Sequence, residues 1–240
     1  MEDFLFRNLL SSAPILFFYI NQPSVIIGRA QNPWLECYLD AMAKDHVLLA
    51  RRQSGGGAVY HDFGNLNYSI LTPVSPVNFF NKADNLSVII KSLAYFNITA
   101  HAGPRHDLWV GDKKISGCAF RQSKDRAFHH GTLLINTDLE KLNLYLHAPD
   151  AERIITYGGV RSVRSPVMNL NSLNTRLDME NLIKKIAFSF SDFLGQESEY
   201  LNFDQITKNN LFINFIKEKT AELKSNDWLY GKTLPFEFLI

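Results

Sequence analysis

Three consecutive glycines at 55–57, set in the run RRQSGGGAVYHD (51–62), restrict what this chain can fold into more than any other feature. A glycine triplet has no side chain to bury and loses more backbone entropy on ordering than almost any other tripeptide. It belongs where the main chain must turn or lie against something closely. The flanks narrow the choice. VLLARR (47–52) is a short apolar run that stops at the glycines, and NLNYSILTP (65–73) alternates apolar and polar residues as a half-buried strand does. The triplet therefore links strands.

Further short runs fit a strand-rich first part. ILFFYI (15–20) and SVIIGRA (24–30) read as strands, and the intervening Asn-Gln-Pro suits a tight hairpin. Leu86, Ile89, Ile90, Leu93 and Phe96 recur at helical spacing over 82–96, with Asp84 as the expected N-cap. DLWVGDKKISGCAFRQ and RAFHHGTLLINTD predict three strands. Gly111-Asp112 forms the first connection, a two-residue hairpin signal, and SKDR the second. Residues 147–176, rich in Pro, Gly, Ser, Asn and Arg, predict a long irregular loop, of the kind that is functional or mobile. A helix from about 179 to its stop at Gly195 and another over 211–223 complete the reading. Mixed strands with interspersed helices give an α+β fold, and one domain spanning 1–240.

Composition excludes several function classes. With 25 basic and 24 acidic side chains the net charge is +1, so no bulk field favours nucleic acid or an anionic membrane. No apolar stretch approaches the ~18 residues of a membrane span. The two cysteines, Cys37 and Cys118, form neither a disulfide framework nor a C-x-x-C pair, and no secretory signal opens the chain. The expected location is cytoplasmic.

Two constellations carry chemistry. Backbone N–H groups free of flanking side chains can converge on a phosphate or carboxylate, and Arg51 and Arg52 beside them add charge. A glycine bulge with solvated arginines is the plain alternative. The spacing is neither that of a P-loop nor that of a dinucleotide fold. In GDKKISGCAF, strand alternation puts Lys113 and Lys114 on opposite faces, so one at most enters a pocket. An ammonium opposite an anion nest cancels the repulsion between a carboxylate and a phosphate.

Taken together, VIIGRAQNPWLECYLDAM, LARRQSGGGAVYHDFGNLNYSI, DLWVGDKKISGCAFRQSKDRAFHHGTLLINTDLEKL and GVRSVRSPVMNL closely resemble the lipoate–protein ligases over roughly residues 4–172. The resemblance implies a biotin/lipoate ligase-type catalytic domain, related to the class II aminoacyl-tRNA synthetase core, with mixed sheets flanked by helices. It implies activation of lipoate by ATP, with Mg²⁺, to lipoyl-AMP. The lipoyl group then passes to a lysine of apo lipoyl domains, either 2-oxoacid dehydrogenase E2 subunits or the glycine-cleavage H protein.

Residue by residue, the resemblance assigns Arg52, Ser54 and the backbone of Gly57, Ala58, Val59 and Tyr60 to the nucleotide side, with Gly55 and Gly56 giving it room. It makes Lys114 the catalytic bridge between the lipoyl carbonyl and the α-phosphate. Asp107 falls near the adenylate or its Mg²⁺, or orients the incoming lysine, and His130 lines the acyl tunnel. His61 is expected to bond its own turn. Val25 to Ile27 and Tyr68 to Leu71 serve as tunnel wall or as core, and Trp34 and Cys37 pack.

Three departures from the family pattern shape the expectations. The chain opens part-way through the family's first helix, at MEDFLF. WLYGKTLPFEF matches the ending that precedes a small accessory domain, which is expected to be absent, so a separate accessory protein could be needed for adenylation. Cys118 stands where relatives often have Ser or Thr. That leaves an alternative, an ATP-independent octanoyl- or lipoyltransferase acting through a Cys118 thioester. The G-R-G-R-x-G loop of biotin ligases does not occur.

Overall fold

A computed structural model describes residues 1–8, 11–75, 81–156, 158–201 and 203–239. Along the first half of the chain run α1 (Glu2–Asn8), β1 (Ile15–Tyr19), β2 (Ser24–Ile27), α2 (Pro33–Glu36), α3 (Leu39–Lys44), β3 (Leu48–Arg51), β4 (Val59–His61), β5 (Asn65–Pro73) and α4 (Lys82–Ala94). There follow β6 (His101–Ala102), β7 (Leu108–Val110), β8 (Lys113–Ser116), β9 (Cys118–Gln122), β10 (Arg126–Leu134) and α5 (Leu139–Tyr145). The last part holds β11 (Ile154–Thr156), α6 (Met179–Leu194), α7 (Phe203–Thr207), α8 (Asn210–Lys224), α9 (Asn226–Leu229) and β12 (Phe236–Phe238). This is the expected α+β architecture.

An antiparallel sheet in the order β1-β5-β10-β9 is the platform. Strand alternation sorts β5 cleanly. Leu66, Tyr68 and Ile70 enter a core with Leu86, Ile89 and Leu93 of α4 and Leu182, Ile186 and Phe190 of α6. The intervening Asn65, Asn67 and Ser69 fall on the other face. There α1 adds a smaller cluster in which Phe4 and Phe6 meet Phe128, while Phe212 and Phe215 of α8 pack against it. A mixed sheet, β3-β2-β4, pairs β2 parallel to β3 and antiparallel to β4. It buries Val25, Ile27 and Tyr60 against α3 and α5.

The expected β1–β2 hairpin does not form. β1 pairs with β5 while β2 joins the mixed sheet, so Asn-Gln-Pro is a crossing between sheets. The three strands expected over 108–134 are four. β8 belongs with β6 and β7, β9 belongs with β10, and the chain changes sheet at Gly117. Both expected hairpin connections hold, with Gly111 at φ 57 in the first. The α4 cap is Asn81, whose side chain accepts the Ala83 N–H at 3.0 Å, and not Asp84. Gly195 closes α6 in the left-handed region as expected. Apart from Tyr157, which lies outside the described residues, 147–176 is mostly irregular but contributes β11, which pairs with β12. Among the described residues no helix is long and apolar enough to cross a membrane.

Candidate active site

The polar face of the platform sheet forms the floor of a cavity of about 420 Å³. Register sets the floor in rows. Tyr19 pairs with Asn67 and Asn67 with Thr132, while Ser69 pairs with His130 and His130 with Ala119. The other walls are the glycine loop from Gly56 to Val59, the Arg105–Asp107 turn with Lys114 and Cys118, and a strap from Val160 to Val163.

The glycines are crowded chiefly by the protein itself. Gly56 sits at φ 92, where a side chain is strained, and a Cβ there would meet the Arg52 guanidinium at 3.0 Å. A Cβ on Gly57 would lie 3.0 Å from Ser162 Oγ of the strap, and one on Gly28 would collide with the Gly56 carbonyl. A Cβ on Gly55 would meet no protein atom within 4 Å, so the protein's own packing does not account for that glycine.

Arg52 holds this loop together. Its guanidinium donates to the carbonyls of Ile26, Gly55 and Gly57 and to Ser54 Oγ, at 2.6 to 3.2 Å. Burial lowers its pKa to about 10, which still leaves it charged at neutral pH. Arg51 is not beside the cavity. It is a buried knot whose guanidinium donates to the carbonyls of Gly28, Arg29, Gln31 and Leu229 and to Thr233 Oγ1.

Lys114 lines the cavity while Lys113 is exposed, as alternation requires. Lys114 Nζ stands 3.2 Å from Asp107 Oδ2, and Asp107 is only 3% exposed. Burial pushes the Asp107 carboxyl up, but the Trp109 indole and the Lys114 ammonium outweigh it and hold the group below the usual carboxylate range. Asp107 is therefore an anion at neutral pH. Among the described residues no group of three His, Cys, Asp or Glu could hold a metal ion. Asp107 is a single carboxylate paired with Lys114, so a Mg²⁺ beside it would draw its remaining ligands from ATP phosphates and water.

His130 lines the cavity with both ring nitrogens engaged, Nδ1 at 2.9 Å from Glu2 Oε1 and Nε2 at 3.0 Å from Ser54 Oγ. Glu2 also accepts from Ser69 Oγ at 2.7 Å. Burial raises the Glu2 carboxyl, yet His130 and Ser69 bring it below its ordinary value. Cys118 faces the cavity and its thiol donates to the His106 carbonyl at 2.9 Å. Burial pushes that thiol up to about 12, the protonated and unreactive state at neutral pH.

Ser54 and Tyr60, read as site residues, sit behind the cavity, Ser54 bridging Arg52 and His130 and Tyr60 buried against Tyr145. Ile26 lines the cavity, whereas its neighbours Val25 and Ile27 are core. His61 bonds Asn21 across the sheet crossing and not its own turn. Trp34 packs on Tyr230 and Phe236, as expected.

The lipoyl protein ligase A/B catalytic domain model matches residues 1–191. The chain belongs to that family. It is 40% identical over 240 residues to lipoate-protein ligase A of Bdellovibrio bacteriovorus, covering 98% of this chain and 68% of that one. Among solved structures it resembles LipL1 of P. falciparum in complex with lipoate, with a TM-score of 0.77 and 36% identity over 98% of this chain and 70% of the other. Lipoate-protein ligase A bound with ATP gives a TM-score of 0.80 at 25% identity, covering 96% and 91%. The fold is thus that of the lipoate ligases, and the chain is a ligase-family enzyme.

Family membership draws attention to cavity residues that the sequence reading passed over: Glu2, Tyr19, Asn67, Thr132 and the strap. For the floor a signal existed. Asn65, Asn67 and Ser69 at every second position of an otherwise apolar strand mark a polar face with something to bind. For Glu2 there was none, since its partner lies far away in sequence.

Proposed function

We propose that this chain is a lipoate–protein ligase that forms lipoyl-AMP from lipoate and ATP and then transfers the lipoyl group to a lysine of an apo lipoyl domain. The observation that carries the reading is one cavity walled by an ammonium on one strand and by a side-chain-poor loop on the other. In the first step a lipoate carboxylate oxygen attacks the α-phosphorus and the bond to pyrophosphate breaks. Lys114 neutralises charge shared by the two anions, and the side-chain-poor Gly56–Val59 loop walls the phosphate side. Confinement in the cavity replaces a two-body encounter.

In the second step an unprotonated lysine amine attacks the acyl carbonyl, the carbon–oxygen bond to AMP breaks, and an amide forms as the amine loses a proton. Asp107, held ionised beside Lys114, attracts the incoming ammonium and orients it. Magnesium would arrive with the ATP phosphates and offset their charge, since among the described residues no group of three His, Cys, Asp or Glu is placed to hold it. A thioester route through Cys118 meets a thiol that donates to a carbonyl and resists ionisation.

Purified protein given lipoate and ATP is expected to release pyrophosphate, and adding apo lipoyl domain should convert the signal to continuous turnover with a lipoylated lysine by mass. Transfer from supplied lipoyl-AMP without any pyrophosphate from ATP would reassign the chain to a transfer subunit that needs an accessory protein. Acyl transfer from a carrier thioester without ATP would reject the ligase reading.

A further inference from the structure

We infer that Gln31 is a positioning residue that pins the 158–166 strap over the cavity and so keeps the acyl-adenylate away from water. The tether itself is argued from geometry, while the protection of an acyl-adenylate rests on the function proposed above.

Gln31 is 1% exposed, and its side chain is used at both ends. Oε1 accepts the Gly28 N–H at 2.8 Å. Nε2 donates to the Val160 carbonyl at 3.2 Å and to Ser162 Oγ at 3.1 Å. Ser162 Oγ also accepts the Ala58 N–H at 2.8 Å, so one hydroxyl joins the strap to the glycine loop and to Gln31. The Gln31 main-chain carbonyl in turn receives Arg51 Nη1 at 2.7 Å, which fixes the backbone that carries the side chain.

Elsewhere the strap is anchored at its C-terminal end. From Pro166 onward it pairs with β8, through Lys114 N–H to the Pro166 carbonyl and Met168 N–H to the Lys114 carbonyl. Before Val160 lie Gly158 and Gly159 at φ 146 and 103, a pliable lead. Val160 and Val163 line the cavity and yet are 49% and 62% exposed, so they form a thin roof. Between the ends the strap is also held by His147, whose Nδ1 lies 2.7 Å from Arg164 Nη2, and by Glu36. Glu36 accepts the Ser162 N–H at 3.1 Å and lies 3.6 Å from Arg161 Nε.

A mixed carboxylic–phosphoric anhydride is hydrolysed when water attacks the acyl carbonyl and AMP leaves with the bonding pair. Excluding water is therefore part of retaining it. Gln31→Glu keeps the acceptor for Gly28 N–H but replaces the donating amide with a carboxylate oxygen facing the Val160 carbonyl, which it repels. Ser162→Ala cuts the junction without adding charge.

In ligand-free Gln31→Glu, backbone amides of residues 159–164 are expected to exchange hydrogen about tenfold faster or more, with α4 amides unchanged. With lipoate and ATP but no carrier, the wild type should release one pyrophosphate per site and then slow. In both variants the phase after the first turnover should run severalfold faster than in wild type as escaped adenylate hydrolyses. Unchanged exchange in Gln31→Glu overturns the tether. Faster exchange with a wild-type rate after the first equivalent overturns the role in retention. If wild type releases no pyrophosphate at all, it is the ligase reading that fails, and the exchange comparison still decides the tether. Should Gln31→Glu not fold, Ser162→Ala decides both points by the same measurements.

Discussion

Replacing Lys114 with Met keeps the aliphatic stem and deletes the ammonium 3.2 Å from Asp107 Oδ2. Asp107 is then a carboxylate, 3% exposed, with the nearest remaining cation at Arg105, 3.8 Å away and half open to water. Stranding one partner of a fully buried pair costs about 3–5 kcal/mol. Here Lys114 is 22% exposed, so solvent already weakens the pair. A loss of about 1–3 kcal/mol is the reasoned value.

Part of that loss should appear as proton uptake. Each unit by which the Asp107 pKa climbs corresponds to about 1.4 kcal/mol. Adding Asp107→Asn removes the stranded charge, so the double variant should regain most of the stability lost by Lys114→Met alone. Activity should not follow, because the ammonium is still missing. Urea unfolding of wild type, both single variants and the double variant at pH 7 closes the cycle. A Lys114→Met protein as stable as wild type, or a double variant no more stable than Lys114→Met, refutes the pairing argument. Pyrophosphate release by Lys114→Met at wild-type rate refutes its catalytic part.

Acidification tests a second buried feature. Burial lowers the imidazole pKa of His61 and of His129 to about 3, so both stay neutral in the folded protein. The unfolded chain takes up these protons below about pH 6.5. The folded value is the lower one, so the stability they contribute is complete above about pH 6.5 and drains as pH falls toward 3, at up to about 2.7 kcal/mol per pH unit for the two. Calorimetry in buffers of different ionisation enthalpy should find nearly two protons taken up by these groups on unfolding at pH 5, and His61→Asn should remove about one. No difference between wild type and that variant rejects the assignment. Cys118→Ser should leave ATP-dependent lipoylation close to wild type, since a hydroxyl can donate to the His106 carbonyl in place of the thiol. Abolished transfer in that variant would point to a thioester.

Much of the fold was legible because several elements are locally determined. The alternation of 65–73, the helical spacing over 82–96, the Gly111-Asp112 turn and the Gly195 stop each appear where periodicity and turn chemistry put them. What failed was non-local. Asn-Gln-Pro turns the chain as expected, but no local signal says that β1 and β2 go to different sheets. KISGCAF reads as one strand because the sheet change at Gly117 leaves no mark beyond the glycine itself. At the site, Lys114 and Asp107 were visible as motif residues. The carbonyls that saturate Arg52 were not, because acceptors on the main chain carry no sequence signature.

The Arg51 knot has a consequence for how the protein comes into being. Its acceptors lie at residues 28–31 and again at 229 and 233, and the Trp228 indole donates back to the Arg51 carbonyl at 2.8 Å. During synthesis the guanidinium thus waits for some 180 residues, about ten seconds or more at ordinary elongation rates, before its last partners emerge from the ribosome. Until then the loop that backs Gln31 and the glycines lacks one side of its support. A nascent chain can build its large sheet early, but the binding pocket is finished only once residues 229–233 are free to fold against it.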